Sequence, residues 1–141
     1  MTAACVPSLE VGGPSFQPYI EKMTTPDYDG RDIHVSLKRA ATCGMSMTEK
    51  QGGSDVRQNT TYAVPLEAAT AGQSGASYRI VGHKWFTSAP MSDSFLTLAY
   101  SGDNELSCFL LPRWVAARRA QRRTALPAAK KQDGGQVQRQ Q

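Results

Sequence analysis

The second half of the chain alternates short apolar runs with clusters of turn-forming residues. These runs occupy residues 60–68, 78–88, 94–101 and 106–112. In the second run, apolar and polar side chains alternate with a period of two, which is typical of a strand with one polar edge. The last two runs are separated by the sequence GDNE, which predicts a β-hairpin. The pattern therefore predicts a mainly β fold, a small antiparallel β barrel or sandwich over about residues 41–112.

Proline and glycine interrupt the segment that precedes these runs. The interrupting residues are Pro14, Pro18, Pro26 and Gly30. Proline lacks the N–H that a helix interior requires, so we expect at most a short helix around residues 19–23. Residues 1–40 are predicted to form an irregular connecting segment.

Composition favours one soluble domain. The chain has 141 residues, of which 40% are hydrophobic and 20% charged, enough for a modest core. No apolar run is long enough to span a bilayer, and the N-terminus lacks a basic start followed by an apolar stretch. We therefore expect an intracellular protein, with cytoplasm and mitochondrion both open. The chain has 3 cysteines, far apart in sequence, and only 2 histidines, which argues against a disulfide framework and against a zinc site.

Basic residues are concentrated at the end of the chain. Residues 113–141 contain eight Lys or Arg and one acid, Asp133, whereas residues 1–112 contain eight basic and eleven acidic residues. Large apolar side chains are scarce after Pro112, so residues 115–141 are predicted to be a disordered tail. A basic segment can also bind the phosphates of nucleic acid. The alternative function is therefore a nucleic-acid-binding module that acts through this tail.

A polar, glycine-rich segment, MTEKQGGSD, occupies residues 47–55. Its glycine pair admits positive φ and lets main-chain N–H groups approach a ligand, while Thr48, Ser54 and Asp55 add donors and acceptors. Taken alone, the segment indicates only a polar loop, because Thr48 and Ser54 can equally cap turns.

Three segments together carry more information than any one of them. They are GMSMTEKQGGSDVRQNTT at 44–61, YRIVGHKWFTS at 78–88 and LSCFLLPR at 106–113. In this order and spacing they resemble the acyl-CoA dehydrogenase family, and within it the AidB-like, alkylation-response branch. The resemblance extends from about DYDGRD at residues 27–32 to about Trp114. It implies that residues 41–114 form the flavin-binding middle β domain of that family.

The resemblance also implies a binding site for FAD between two loops. The implied cofactor contacts are Met45, Met47, Thr48, Gly53 and Ser54 in the first loop and Phe86, Thr87 and Ser88 in the second. Thr48 would hydrogen-bond the flavin ring, and Ser54 would lie near the pyrophosphate or an acyl-CoA substrate. Hydroxyls and main-chain N–H groups suit this task because the reduced ring carries negative charge, and an aromatic wall excludes water.

Several neighbouring residues have structural interpretations. One of Trp85 and Phe86 is expected in the core, since adjacent strand residues face opposite sides. Glu49 is interpreted as structural, because the catalytic base of the family lies elsewhere. Cys43 and Cys108 are expected to pack as small hydrophobes.

In the family, a glutamate of a C-terminal helical domain removes the α-proton of an acyl-CoA thioester while hydride passes to FAD. We expect the present sequence to lack that domain, so no catalytic residue is assigned and the isolated chain is expected to be inactive. The resemblance also implies an N-terminal helical domain, which we expect to be missing apart from its connector, residues 1–40. The resemblance further implies that the complete enzyme is a homo-oligomer, a tetramer. In the family's AidB-like branch, DNA contact is attributed to the C-terminal domain, which ranks the nucleic-acid alternative second.

The resemblance stops at about Val115 without a turn or boundary signal. Each amino acid at residues 130–140 can be encoded by more than one codon. If such codons are translated with the reading frame shifted by one base, they can give a family-like sequence that contains Lys-Met-Ala-Asp-Lys-Ser-Asn-Ala-Ser. We therefore predict that residues from about 116 onward are a frameshifted translation.

Overall fold

Two helices precede five strands in the structure, a computed structural model that describes residues 1–102 and 105–115. The helices are α1 (Thr2–Gly12) and α2 (Gln17–Thr24). The strands are β1 (Cys43–Ser46), β2 (Tyr62–Pro65), β3 (Tyr78–Val81), β4 (Ser94–Ser101) and β5 (Glu105–Pro112). No helix in these two ranges is both long enough and apolar enough to cross a membrane.

Strand β4 is the centre of one mixed sheet. It pairs antiparallel with β5 along its whole length, from Ser94 opposite Pro112 to Ser101 opposite Glu105. On its other edge, β1 pairs in parallel with the first half of β4, and β2 pairs in parallel at Tyr100. Strand β3 then adds antiparallel to β2.

The predicted β4–β5 hairpin is confirmed, and each of the four apolar runs contains a strand. The closed barrel is not confirmed, because the sheet stays open in the described residues. The prediction of an antiparallel sheet is correct only in part: β2–β3 and β4–β5 are antiparallel, but β1 and β2 both run parallel to β4. These parallel pairings join strands far apart in sequence, so no turn signal marks them. The predicted tail lies almost entirely at residues 116–141, outside the described residues.

The N-terminal segment is more regular than expected. Helix α2 contains the predicted short helix, but α1 forms where an irregular connector was predicted, with Pro7 inside it. Cys5 and Leu9 lie one turn apart on the same face of α1, and both are buried. They join the main apolar cluster, whose other buried members are Ile20, Met23, Ala41, Cys43 and Leu96. Burial of this face stabilises a helix that local sequence alone does not favour.

The two cysteines with predicted packing roles differ. Cys43 is buried in the core as expected, whereas Cys108 is exposed on β5. Burial, followed by hydrogen bonding with Cys5, raises the pKa of the Cys43 thiol to about 12. Cys43 therefore stays uncharged and behaves as a small hydrophobe.

Buried polar contacts fix the connector between α2 and β1. The Lys22 ammonium donates to the carbonyl oxygens of Val35 and Lys38, both at 2.7 Å. The side chain of Lys38 pairs with Asp93 at the start of β4, and these side chains are 3% and 8% exposed. Asp93 also accepts from the backbone N–H of Thr42 at 2.9 Å. The connector is thus joined directly to the central strand.

Substitution of Lys38→Met is expected to leave the Asp93 carboxylate buried without its cation. Loss of one partner of a buried ion pair typically costs about 3–5 kcal/mol, and chemical denaturation of the variant should show a loss of this order. Arg39→Met is the matched control, because Arg39 is the exposed neighbour of Lys38. Equal stability of the two variants would contradict the role given to Lys38.

Candidate functional site

Two loops run side by side at the end of β1. The first loop comprises residues 45–55, of which Met45 and Ser46 are also the last two residues of β1, and the second loop comprises residues 82–88. Met45 and Ser88 exchange two backbone hydrogen bonds, with N···O distances of 3.2 and 2.8 Å, and the N–H of Trp85 donates to the carbonyl of Thr48 at 2.9 Å. These contacts bring together the two segments that the sequence predicts to contact a ligand.

Glycine permits the close approach at two points. A Cβ at Gly44 would collide with the carbonyl oxygen of Ser88 and would lie 2.8 Å from Cδ1 of Phe95. A Cβ at Gly53 would lie only 2.8 Å from Oγ1 of Thr48, so the first loop folds back closely onto Thr48. Both distances are too short for a real carbon contact. The shape of the first loop therefore depends on residues without side chains.

The predicted contact residues differ in exposure. Gly53, Ser54 and Phe86 are exposed, while Met45, Met47, Thr48 and Ser88 are partly buried. Thr87 is buried instead, and its hydroxyl lies 2.9 Å from that of Ser46. Ser46, which the sequence analysis did not single out, thus anchors the second loop to β1. The roles of these residues toward a cofactor stay predictions.

The expectation that Trp85 or Phe86 lies in the core is wrong. Both side chains are 57% exposed. Strand β3 ends at Val81, so the alternation of faces that holds in a strand does not apply to the second loop. Two adjacent aromatic side chains are therefore exposed to solvent beside the first loop.

The carboxylate of Glu49 accepts more hydrogen bonds than any other group described in the site. It is 2% exposed and accepts from the backbone N–H groups of Thr60 and Thr61 at 2.7 and 3.1 Å. The hydroxyls of the same two threonines donate at 3.0 and 2.5 Å, and Gln51 Nε2 donates at 2.9 Å. Lys84 Nζ completes the set at 2.8 Å. This arrangement agrees with the structural interpretation of Glu49.

Electrostatics keep Glu49 ionised. Burial raises the pKa of Glu49, but the hydrogen bonds from Lys84, Thr60 and Thr61 outweigh burial and hold this pKa below its ordinary value. Burial holds the pKa of Lys84 below its ordinary value, although the contact with Glu49 acts in the opposite direction. A carboxylate with a lowered pKa is a weak base, so Glu49 is unsuited to proton abstraction.

Two further residues of the site, Lys84 and Asn59, received no role in the sequence analysis. The carbonyl oxygen of Met47 accepts from Lys84 Nζ at 3.4 Å and from Asn59 Nδ2 at 3.3 Å. Asn59 is 5% exposed, and its Oδ1 has no hydrogen-bond partner within the described ranges. Lys84 stands 35 positions from Glu49 in sequence, so no local spacing links the two. Lys84 lies inside the segment YRIVGHKWFTS, which carries the family resemblance, but the sequence assigned it no role.

The substitution Glu49→Gln is expected to destabilise the protein most at neutral pH. The pKa of Glu49 is lower in the folded state than in the unfolded state. The stabilisation that its ionised carboxylate provides is therefore fully present above the ordinary carboxyl pKa of about 4.3, and it is lost as the pH falls through the lower pKa of the folded state. The stability difference between wild type and variant should therefore shrink below about pH 4. Urea denaturation at a series of pH values measures this difference. Glu10→Gln, at an exposed position, is the control, and a difference that does not depend on pH would contradict the prediction.

Comparison with known proteins agrees with the resemblance seen in the sequence. Residues 44–137 match the family model described as acyl-CoA dehydrogenase, middle domain. AidB of Escherichia coli (strain K12), named as an acyl-CoA dehydrogenase, is 45% identical over 116 residues, which cover 82% of this chain and 20% of AidB. Acyl-CoA dehydrogenase family member 11 of Caenorhabditis elegans is 43% identical over 83 residues, covering 52% of this chain and 12% of that protein.

A solved structure gives the same assignment. The crystal structure of Caenorhabditis elegans ACDH-11 in complex with C11-CoA matches with a TM-score of 0.58 and 32% identity, over 81% of this chain and 18% of that one. The present chain thus spans about a fifth or less of the length of these relatives. The predicted family and its AidB-like branch are confirmed. The chain belongs to the acyl-CoA dehydrogenase family and contains its middle domain.

Proposed function

We propose that this domain binds the flavin of FAD within an oxidoreductase that dehydrogenates acyl-CoA thioesters between the α and β carbons. One observation carries the proposal. The two loops are paired through the backbone, and Trp85 and Phe86 stand exposed at their junction. A contiguous exposed apolar patch can mark a ligand-binding surface, and these two adjacent aromatic side chains support such a surface here.

The residues present fit a flavin. Isoalloxazine is planar and largely apolar in its faces, which suits an aromatic side chain such as Phe86. Its polar edge requires donors, and the first loop supplies the hydroxyls of Thr48 and Ser54. Main-chain N–H groups of the first loop are proposed to serve the same edge, since Gly53 lets the loop fold closely onto Thr48.

FAD, when bound, supplies the acceptor for the hydride that leaves the substrate. The proposed task of Thr48 is to donate a hydrogen bond where negative charge develops on the ring. The backbone of Thr87 is proposed to face the ring from the second loop, because the hydroxyl of Thr87 already contacts Ser46 inside the protein, and Ser88 is proposed to contact the ring beside it. Phe86 is proposed to exclude water from the ring.

The substrate class follows from the family and one relative. ACDH-11 was crystallised with C11-CoA, which supports an acyl-CoA thioester as the substrate of the complete enzyme. Ser54 is exposed and is proposed to contact either the FAD pyrophosphate or the acyl-CoA. We propose that the base lies outside the described residues, because Glu49 is buried in an ion pair. The isolated chain is accordingly expected to be inactive, and the complete enzyme is proposed to be a homo-oligomer.

The nucleic-acid alternative gains no argument from the structure. The basic segment that motivates it lies mainly beyond residue 115, outside the described residues. Flavin binding is therefore the function to test first.

Phe86→Ala is expected to weaken FAD binding by about tenfold or more, since an aromatic contact to a flat ring contributes on the order of 1–3 kcal/mol. Titration of the full chain with FAD, followed by flavin absorbance, gives the dissociation constant. Tyr28→Ala removes another exposed aromatic side chain, 74% exposed, and is expected to leave FAD affinity unchanged. Equal affinity of the Phe86 variant and wild type would exclude Phe86 from the site, and no binding by the wild type would overturn flavin binding by this chain.

A further inference from the structure

We propose that Lys84 is a positioning residue, whose buried ion pair with Glu49 couples the two loops and so fixes the aromatic face offered to the cofactor. The inference rests on the proposed flavin function for its meaning. The coupling itself is a property of the chain without any ligand.

Lys84 contacts the first loop through its side chain, while the next residue does so through the backbone. Its ammonium lies 2.8 Å from Glu49 Oε1 and 3.4 Å from the carbonyl oxygen of Met47. The N–H of Trp85 donates to the carbonyl of Thr48 at 2.9 Å. Three consecutive residues of the first loop are therefore held by two consecutive residues of the second.

Glu49 in turn connects this contact to the sheet. Its carboxylate holds Thr60 and Thr61, immediately before β2. The carbonyl of Thr61 accepts from the N–H of Tyr100 on β4 at 2.9 Å. The chain of contacts runs from the central strand through Glu49 to Lys84, and from there to the exposed aromatic residues.

Exposure explains why the second loop needs this contact. Trp85 and Phe86 are each 57% exposed, so their own packing gives them little positional restraint. The side chains of Lys84 and Glu49 are only 6% and 2% exposed, so water and salt screen their attraction weakly. A buried pair often adds little net stability over an apolar pair, but its partners must stay in one geometry. That requirement suits a positioning role.

The first test uses the full chain without cofactor. In Lys84→Met, we expect the backbone amides of Trp85 and Ser88 to exchange hydrogen at least about tenfold faster than in wild type, because the second loop opens locally. Because Glu49 keeps its five other hydrogen bonds in this variant, amides of β4 should be accelerated less than these two. Lys50→Met, which removes an exposed lysine of the first loop, should change neither. Equal acceleration in the loop and in β4 would overturn the proposal, since Lys84 would then support the fold as a whole.

Lys84→Gln is a second variant in case the methionine variant does not fold. Loss of folded structure in both variants would equally overturn a local positioning role. Glu49→Gln removes the ion pair from the other side, so it should accelerate exchange of the same two amides.

The second test is FAD affinity in the same variants. Lys84→Met is expected to weaken FAD binding by about tenfold or more, and Lys50→Met to leave it unchanged. Faster loop exchange with unchanged FAD affinity would overturn the positioning role. If the wild type binds no FAD, the flavin assignment fails, and the exchange measurement alone decides whether Lys84 couples the loops.

Discussion

A buried carboxylate has to be compensated, and the way Glu49 is compensated shapes this domain. Its oxygens accept from the segment before β2, from its own loop and from Lys84 of the second loop. Each of those partners must lie in one place for the charge to be tolerated away from water. The position of one acidic side chain thereby determines how two loops and the start of a strand lie against one another.

The same requirement appears at the other end of the sheet. Lys38 and Asp93 form a buried pair that joins the connector to β4, and Lys22 holds the connector through its carbonyl oxygens. Charged side chains thus fix both flanks of the central strand, while a small apolar cluster covers one of its faces. In the second loop, Lys84 and Thr87 have buried contacts, whereas Trp85 and Phe86 between them are exposed.

Local patterns were sufficient for part of the fold. The β4–β5 hairpin followed from two apolar runs around a turn, and the short helix α2 followed from the prolines that limit it. Helix α1 did not, because Pro7 argues against a helix, and burial of Cys5 and Leu9 stabilises it only in the folded chain. The parallel pairing of β1 with β4 also escaped, since no residue in either strand encodes a partner about 50 positions away.

The candidate site, like the fold, could be predicted from the sequence only in part. The sequence by itself determined the family, the two loops and the glycines and hydroxyls within them, because these depend on residue types at fixed spacing. Only the tertiary structure decided that Trp85 and Phe86 both face outward, that Thr87 turns inward to Ser46, and that Glu49 meets Lys84. Which side chain is buried, and which charge it meets there, depends on elements that come together only when the whole sheet has formed.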